Sequence, residues 1–175
     1  VALIHDSPVT NRITQLTFEE LLEQVEKCAG AMAEHGNLKK GDRVLIYMPM
    51  VPEALVAMYA CARLGAVHSV VFGGFASAEL AKRIEDCSPK LIITSSAGKE
   101  VHESSMWVLE RQDLCRADFK ALNQQSYGNA HTSKKIAFQD LRNMIDVKGN
   151  RKYGKPVIVN SSHPLYILYT SGTTG

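Results

Sequence analysis

The chain is 175 residues long, with 45% hydrophobic and 22% charged residues, which suits about one packed domain and leaves no composition for an extended disordered tract. Twenty basic residues against eighteen acidic ones give a formal charge of +2, too balanced to mark nucleic acid or a membrane surface as a partner. The longest apolar run is far shorter than a membrane span.

Thr17-Phe18-Glu19-Glu20 has the form of a capping box, with Thr at the cap and Glu three residues on. Behind it Phe18, Leu21, Leu22, Val25, Ala29, Met32 and Ala33 share one helical face. Gly36 is expected to close this helix as a left-handed cap. Leu38 to Asp42 turn the chain, and Val44 to Tyr47 form a short, continuously apolar strand. Pro52 suits a helix first turn, so Glu53 to Leu64 are expected as a helix ended by Gly65. Ala66 to Phe72 is a second buried strand. Ser77 is expected to cap a third helix, Ala78 to Cys87, which must stop before Pro89. Lys90 to Ser95 is a third strand.

Strands and helices alternating over short connections predict an α/β fold, a parallel sheet with flanking helices. From Val101 to Pro156 no β-like apolar run is found. Weak helical patterns cover Trp107 to Leu122 and the surroundings of Ile136, Leu141, Met144 and Ile145. Arg111, Arg116, His102 and His131 have no metal or catalytic spacing and are expected as solvated surface. An apolar run, Leu165 to Tyr169, is expected as a buried strand. Cys28, Cys61, Cys87 and Cys115 include no C-x-x-C pair. Reduced core thiols in an intracellular protein are expected, and no zinc site.

In parallel sheets of this kind ligands gather beyond the C-terminal ends of the strands. Two stretches fall there. Thr170-Ser171-Gly172-Thr173-Thr174-Gly175 is built of hydroxyls and glycines, and small side chains let successive backbone N–H groups curl around phosphate oxygens. It is not a Walker A loop, which needs a Lys inside the motif. A flexible turn fits its bare composition as well. Phe72-Gly73-Gly74-Phe75 admits either a tight turn or a side-chain-free surface beside a flat apolar wall.

Tyr169 to Gly175, "YTSGTTG", resembles the ATP-phosphate motif of the AMP-forming acyl-adenylate synthetases. The wording of Ile46 to Met50, Ala62 to Ala76 ("ARLGAVHSVVFGGFA") and Arg83-Ile84-Glu85-Asp86 is similar to the short-chain acetyl- and propionyl-CoA synthetase branch of that superfamily. The resemblance implies that the chain is part of the large N-terminal domain of an adenylate-forming enzyme. It implies ATP-dependent activation of a short-chain carboxylate, propionate or acetate, to an acyl-adenylate and then to acyl-CoA. ATP, Mg2+ and coenzyme A are the implied substrates and cofactors, with no nucleic-acid or membrane partner. The implied location is the mitochondrial matrix or the cytoplasm. By resemblance, Thr170, Ser171, Gly172, Thr173, Thr174 and Gly175 hold the β- and γ-phosphates, and Phe72, Gly73 and Gly74 line the coenzyme A nucleotide site.

The resemblance divides the chain into a family-like α/β part (1–96), a divergent segment (97–160) and a strand with its phosphate loop (161–175). In the divergent segment Lys99 stands where the family places an arginine that meets coenzyme A phosphate. The chain is expected to be an N-terminal fragment, because the family's later lysines, Mg-binding acid and C-terminal domain have no counterpart in it. No catalytic residue proper is therefore named, and the fragment alone is expected to be inactive. Two alternatives stay open: a longer-chain synthetase sharing the loop, and a truncated product without catalysis.

Overall fold

The computed structural model describes residues 1–73, 77–95, 99–102, 105–110, 137–140 and 151–170. It opens with an antiparallel pair that the sequence did not announce, β1 (Leu3–Ser7) with β2 (Arg12–Leu16), joined by a turn in which Asn11 takes a positive φ of 50°.

Helix α1 (Phe18–Glu34) starts as its cap predicts. Glu20 N–H donates to Thr17 Oγ1 at 3.2 Å, while the Glu20 carboxylate accepts from Thr17 N–H at 2.7 Å. The expected apolar face needs trimming. Val25, Ala29 and Met32 are buried, but Phe18 is 76% exposed and Leu22 is also exposed, because the buried part of α1 begins only at Val25. The end of α1 differs from expectation too. His35, in right-handed geometry, is the C-cap, and the left-handed residue is Asn37 at φ 47°, a conformation that asparagine tolerates. Gly36 serves space instead: a Cβ there would lie 2.6 Å from the Met32 carbonyl oxygen.

The centre is a four-stranded, wholly parallel sheet in the order β4-β3-β5-β8. Its strands are β3 (Arg43–Met48), β4 (Val67–Phe72), β5 (Leu91–Thr94) and β8 (Ala137–Asp140). Helix α2 (Pro52–Leu64) joins β3 to β4 and ends on Gly65 at φ 65°, as its sequence predicts. Helix α3 (Ser77–Cys87) joins β4 to β5, beginning at Ser77 itself. Alternation along β3 sorts the core. Val44, Ile46 and Met48 pack with α1 and α2 on one face; Leu45 and Tyr47 pack with Leu80, Ile84 and Cys87 of α3 on the other. Burial on both faces is why β3 reads as an unbroken apolar run. Each fully buried Leu or Ile here contributes roughly 1.5–3 kcal/mol over leaving it exposed.

The expectation of no strand run between Val101 and Pro156 is overturned. Strands β6 (Lys99–His102) and β7 (Ser105–Glu110) pair antiparallel, and β8 extends the parallel sheet beside β5. Trp107 to Glu110 therefore belong to a strand, not to a helix, and so do Ala137 to Asp140 within the second helical pattern; the rest of the first predicted helix, and Ile136, Leu141, Met144 and Ile145, lie outside the described residues. A two-stranded antiparallel pair needs no continuous apolar run, and β8 is only four residues long, too short to display a period.

Residues 151–169 return across α1, α2 and β4 as an extended strap. Arg63 Nε donates to the Gly154 carbonyl at 2.6 Å, Val157 N–H to the Arg63 carbonyl at 2.9 Å, and Lys40 Nζ to the Ile158 carbonyl at 3.1 Å. His163 Nε2 donates to the Gly65 carbonyl at 2.8 Å. The strap then meets the free edge of β4, where His68 bonds both Leu165 and Ile167 and a parallel bridge pairs His68 with Tyr166. The expected buried strand Leu165 to Tyr169 is thus a single bridge along an edge. Only Ile167 packs into the core, and Leu168 is 73% exposed.

Candidate functional site

The first predicted loop leaves the C-terminal end of β4 next to the end of β3, with Met48 in register with Phe72. Gly73 continues the pairing: its N–H donates to the Met48 carbonyl at 3.0 Å, and its own carbonyl accepts from Tyr47 Oη at 3.1 Å. A Cβ on Gly73 would sit 3.0 Å from both the Met48 carbonyl carbon and Pro49 N. Glycine is therefore demanded by backbone approaching backbone, and the surface it leaves is free of side-chain bulk. Phe72, 46% exposed, and Met50, 79% exposed, keep apolar side chains in reach of solvent at this end of the sheet. Such a ledge can receive a flat ring on one side and polar backbone contacts on the other. Gly74 lies outside the described residues.

The second loop begins at Thr170, which is exposed, and Ser171 to Gly175 lie outside the described residues. The approach to it is defined. The strap runs parallel to β4 at Tyr166, so it heads in the direction of the strands, as the loop's placement requires. Tyr169, one residue before Thr170, turns its side chain onto α3. Its hydroxyl donates to the Asp86 carboxylate, and the Arg83 guanidinium lies 5.4 Å from its ring centroid. Burial, followed by the bond to Asp86, holds its phenol well above the usual range. Phe72 and Gly73 precede the N-terminal end of α3 in the chain; Tyr169 is tied to its C-terminal end, which Arg43 also grips through the carbonyls of Cys87 and Ser88.

Sequence reasoning missed this anchor, although it had singled out Arg83 and Asp86 as wording. The available signal was their spacing on α3. It also missed His68 and Ser69, two buried polar residues whose Nδ1 and Oγ have no hydrogen-bond partner among the described residues. Burial depresses the His68 pKa. Cys28, Cys61 and Cys87 are free and buried thiols, with burial pushing Cys28 up to about 12. Among the described residues no group of three or more His, Cys, Asp or Glu could hold a metal ion, and no helix is long and apolar enough to cross a membrane.

Relatives extend this picture along the whole chain. The protein is 47% identical over 177 residues to the mitochondrial acyl-CoA synthetase short-chain family member 3 of Bos taurus, and 43% identical over 188 residues to that of Homo sapiens; both matches cover 100% of this chain and 26% of the relative. It is 42% identical over 164 residues to the acetyl-coenzyme A synthetase of Streptomyces coelicolor, covering 91% of this chain and 25% of that protein. The chain thus spans about a quarter of the length of these relatives. The matched range runs through 97–160, where family wording was expected to lapse. With the family described as "AMP-binding enzyme" matching residues 1–175, the chain belongs to the AMP-binding enzyme family.

Proposed function

We propose that the protein carrying this chain is an AMP-forming acyl-CoA ligase for a short-chain carboxylate, propionate or acetate. The observation that carries the proposal is a hydroxyl- and glycine-rich stretch, Thr170 to Gly175, launched from an anchored tyrosine beside a parallel sheet. The names of the relatives support it. The carboxylate oxygen attacks the α-phosphorus of MgATP, the bond to pyrophosphate breaks, and a mixed anhydride forms. The thiol of coenzyme A then gives up its proton and attacks the acyl carbon, releasing AMP. Backbone N–H groups and hydroxyls of Thr170, Ser171, Gly172, Thr173, Thr174 and Gly175 offset charge moving onto the departing pyrophosphate. Phe72, Gly73 and Gly74 offer the coenzyme A nucleotide a flat wall and open backbone. The mitochondrial names of several relatives favour the mitochondrial matrix for this protein, with the cytoplasm as the other location to test.

The test is ATP–pyrophosphate exchange by the whole protein, driven by acetate, propionate and a long-chain acid in turn. Gly172→Val is expected to depress exchange more than Ser171→Ala. The valine adds a β-branched side chain where close approach is needed, whereas the serine is one hydroxyl among four, worth about 1.5–3 kcal/mol against a charged group. Exchange at the parental rate by Gly172→Val would leave the stretch a plain turn. Exchange driven only by the long-chain acid would move the enzyme to a longer-chain ligase. Residues 1–175 alone are expected to release no pyrophosphate, and acid-dependent release above a protein-free blank contradicts that.

A further inference from the structure

Helix α3 carries two adjacent stripes. Leu80, Ile84 and Cys87 face the sheet. Beside them run Glu79, Arg83 and Asp86, whose spacings of four and three residues stack side chains along one helix face. These three are linked. Arg83 Nη1 donates to the Glu79 carbonyl at 2.9 Å and to its carboxylate at 3.3 Å. The guanidinium then lies over the Tyr169 ring, and the Tyr169 hydroxyl reaches Asp86. Only 11% of the Arg83 side chain is exposed, so the cation meets the ring largely out of water, where such contacts are strongest. Held at its face and at its hydroxyl, Tyr169 has both position and rotation defined.

Glycines and small residues follow it. A ligand that binds a stretch of chain must offset the cost of whatever ordering that stretch still needs. Fixing the residue at its root removes part of that cost before any ligand arrives.

We infer that Asp86 and Arg83 are positioning residues for the phosphate-binding loop, fixing through Tyr169 where Thr170 begins it. This deepens, and rests on, the function proposed above. Neither residue touches substrate; both act through the tyrosine. Asp86 accepts from a neutral hydroxyl, so any side chain retaining an acceptor oxygen in its place keeps the clamp.

The experiment uses the whole protein, with MgATP and coenzyme A as separate calorimetric probes. Asp86→Ala is expected to weaken MgATP binding about tenfold, the scale of a hydrogen bond to a charged group, and to leave coenzyme A binding and the thermal midpoint near the parent's. Asp86→Asn, whose amide oxygen still accepts, is expected to recover most of the loss. Tyr169→Phe is expected to match Asp86→Ala and to add nothing on top of it. Parental MgATP affinity in Asp86→Ala overturns the inference. So does an equal loss for both probes with a lowered midpoint and no recovery in Asp86→Asn, which is the mark of a merely structural role. Should Asp86→Ala not fold, Tyr169→Phe decides on the same MgATP criterion. If the parent binds no MgATP, the proposed function is what fails. The clamp is then judged by amide exchange at residues 170–175: faster exchange in Asp86→Ala upholds it, and unchanged exchange overturns it.

Discussion

Arg63 on α2 and Glu26 on α1 meet at 2.8 Å, with only 21% and 17% of their side chains exposed. The other Glu26 oxygen accepts from Arg151 Nε at 2.8 Å, and Arg63 Nε holds the Gly154 carbonyl. One carboxylate thus joins two helices to the strap. Its two arginines are unequal. Removing Arg63 takes one of two arginine partners from a half-buried carboxylate and the side-chain donor from a backbone carbonyl, whereas the Arg151 side chain is 57% exposed. Arg63→Ala is expected to cost about 1–3 kcal/mol and Arg151→Ala less than about 1 kcal/mol, measured by urea unfolding. The reverse order would show that the strap, not the helix pair, depends on this carboxylate.

Gly154 sits where the strap crosses α1. A Cβ there would come within 2.9 Å of Gly30 N and closer still to the Glu26 carbonyl oxygen. Both neighbours are helix backbone, which cannot swing away. Gly154→Ala is therefore expected to destabilise the protein by about 1–3 kcal/mol, in the range for overpacking, by lifting the strap off α1. Thermal unfolding checks it, and a midpoint equal to the parent's would mean that the strap yields freely.

His68 supplies a pH dependence. It is buried beside Tyr166, with ring centroids 6.0 Å apart, and its pKa lies below the ordinary histidine value of about 6.5 because burial disfavours the imidazolium. The unfolded chain binds this proton more readily. Its contribution to stability is thus present above about pH 6.5 and lost as the pH falls from there through the depressed value in the fold. His68→Phe keeps a ring against Tyr166 and removes the titration. The variant is expected to lose less of its thermal midpoint between about pH 8 and pH 5 than the parent does. Equal losses would assign the acid sensitivity elsewhere.

Much of the α/β core was legible because each signal was local. Thr17 and Glu20 lie within one turn, Pro52 and Gly65 mark the two ends of α2, and β3 and β5 are apolar on both faces. What escaped depends on partners far along the chain. Leu165 to Tyr169 looks like a buried strand from composition, yet only Ile167 packs inward, because the run meets β4 at an edge and, among the described residues, no strand beyond it. Gly36 looks like a cap, but the positive φ moved to Asn37. At the candidate site, Gly73 was found through its neighbours in sequence, whereas its reason, the approach of Met48 and Pro49, is a contact across the sheet. The Tyr169 anchor spans 83 residues, which no window of sequence contains.

The strap also sets an order of assembly. Arg151 and Glu26 are 125 residues apart, about five times the separation of paired residues in β3 and β4. Closing the larger ring costs about 1.5 kcal/mol more in chain entropy, and that entropy is lost before the distant contact offsets it. The surface that receives the strap, made by α1, α2 and β4, can be complete before residue 151 arrives. The strap then behaves as a clasp fastened onto a finished frame, and its Tyr169 end, which closes a ring of 83 residues against 125 for Arg151, is the cheaper end to fasten.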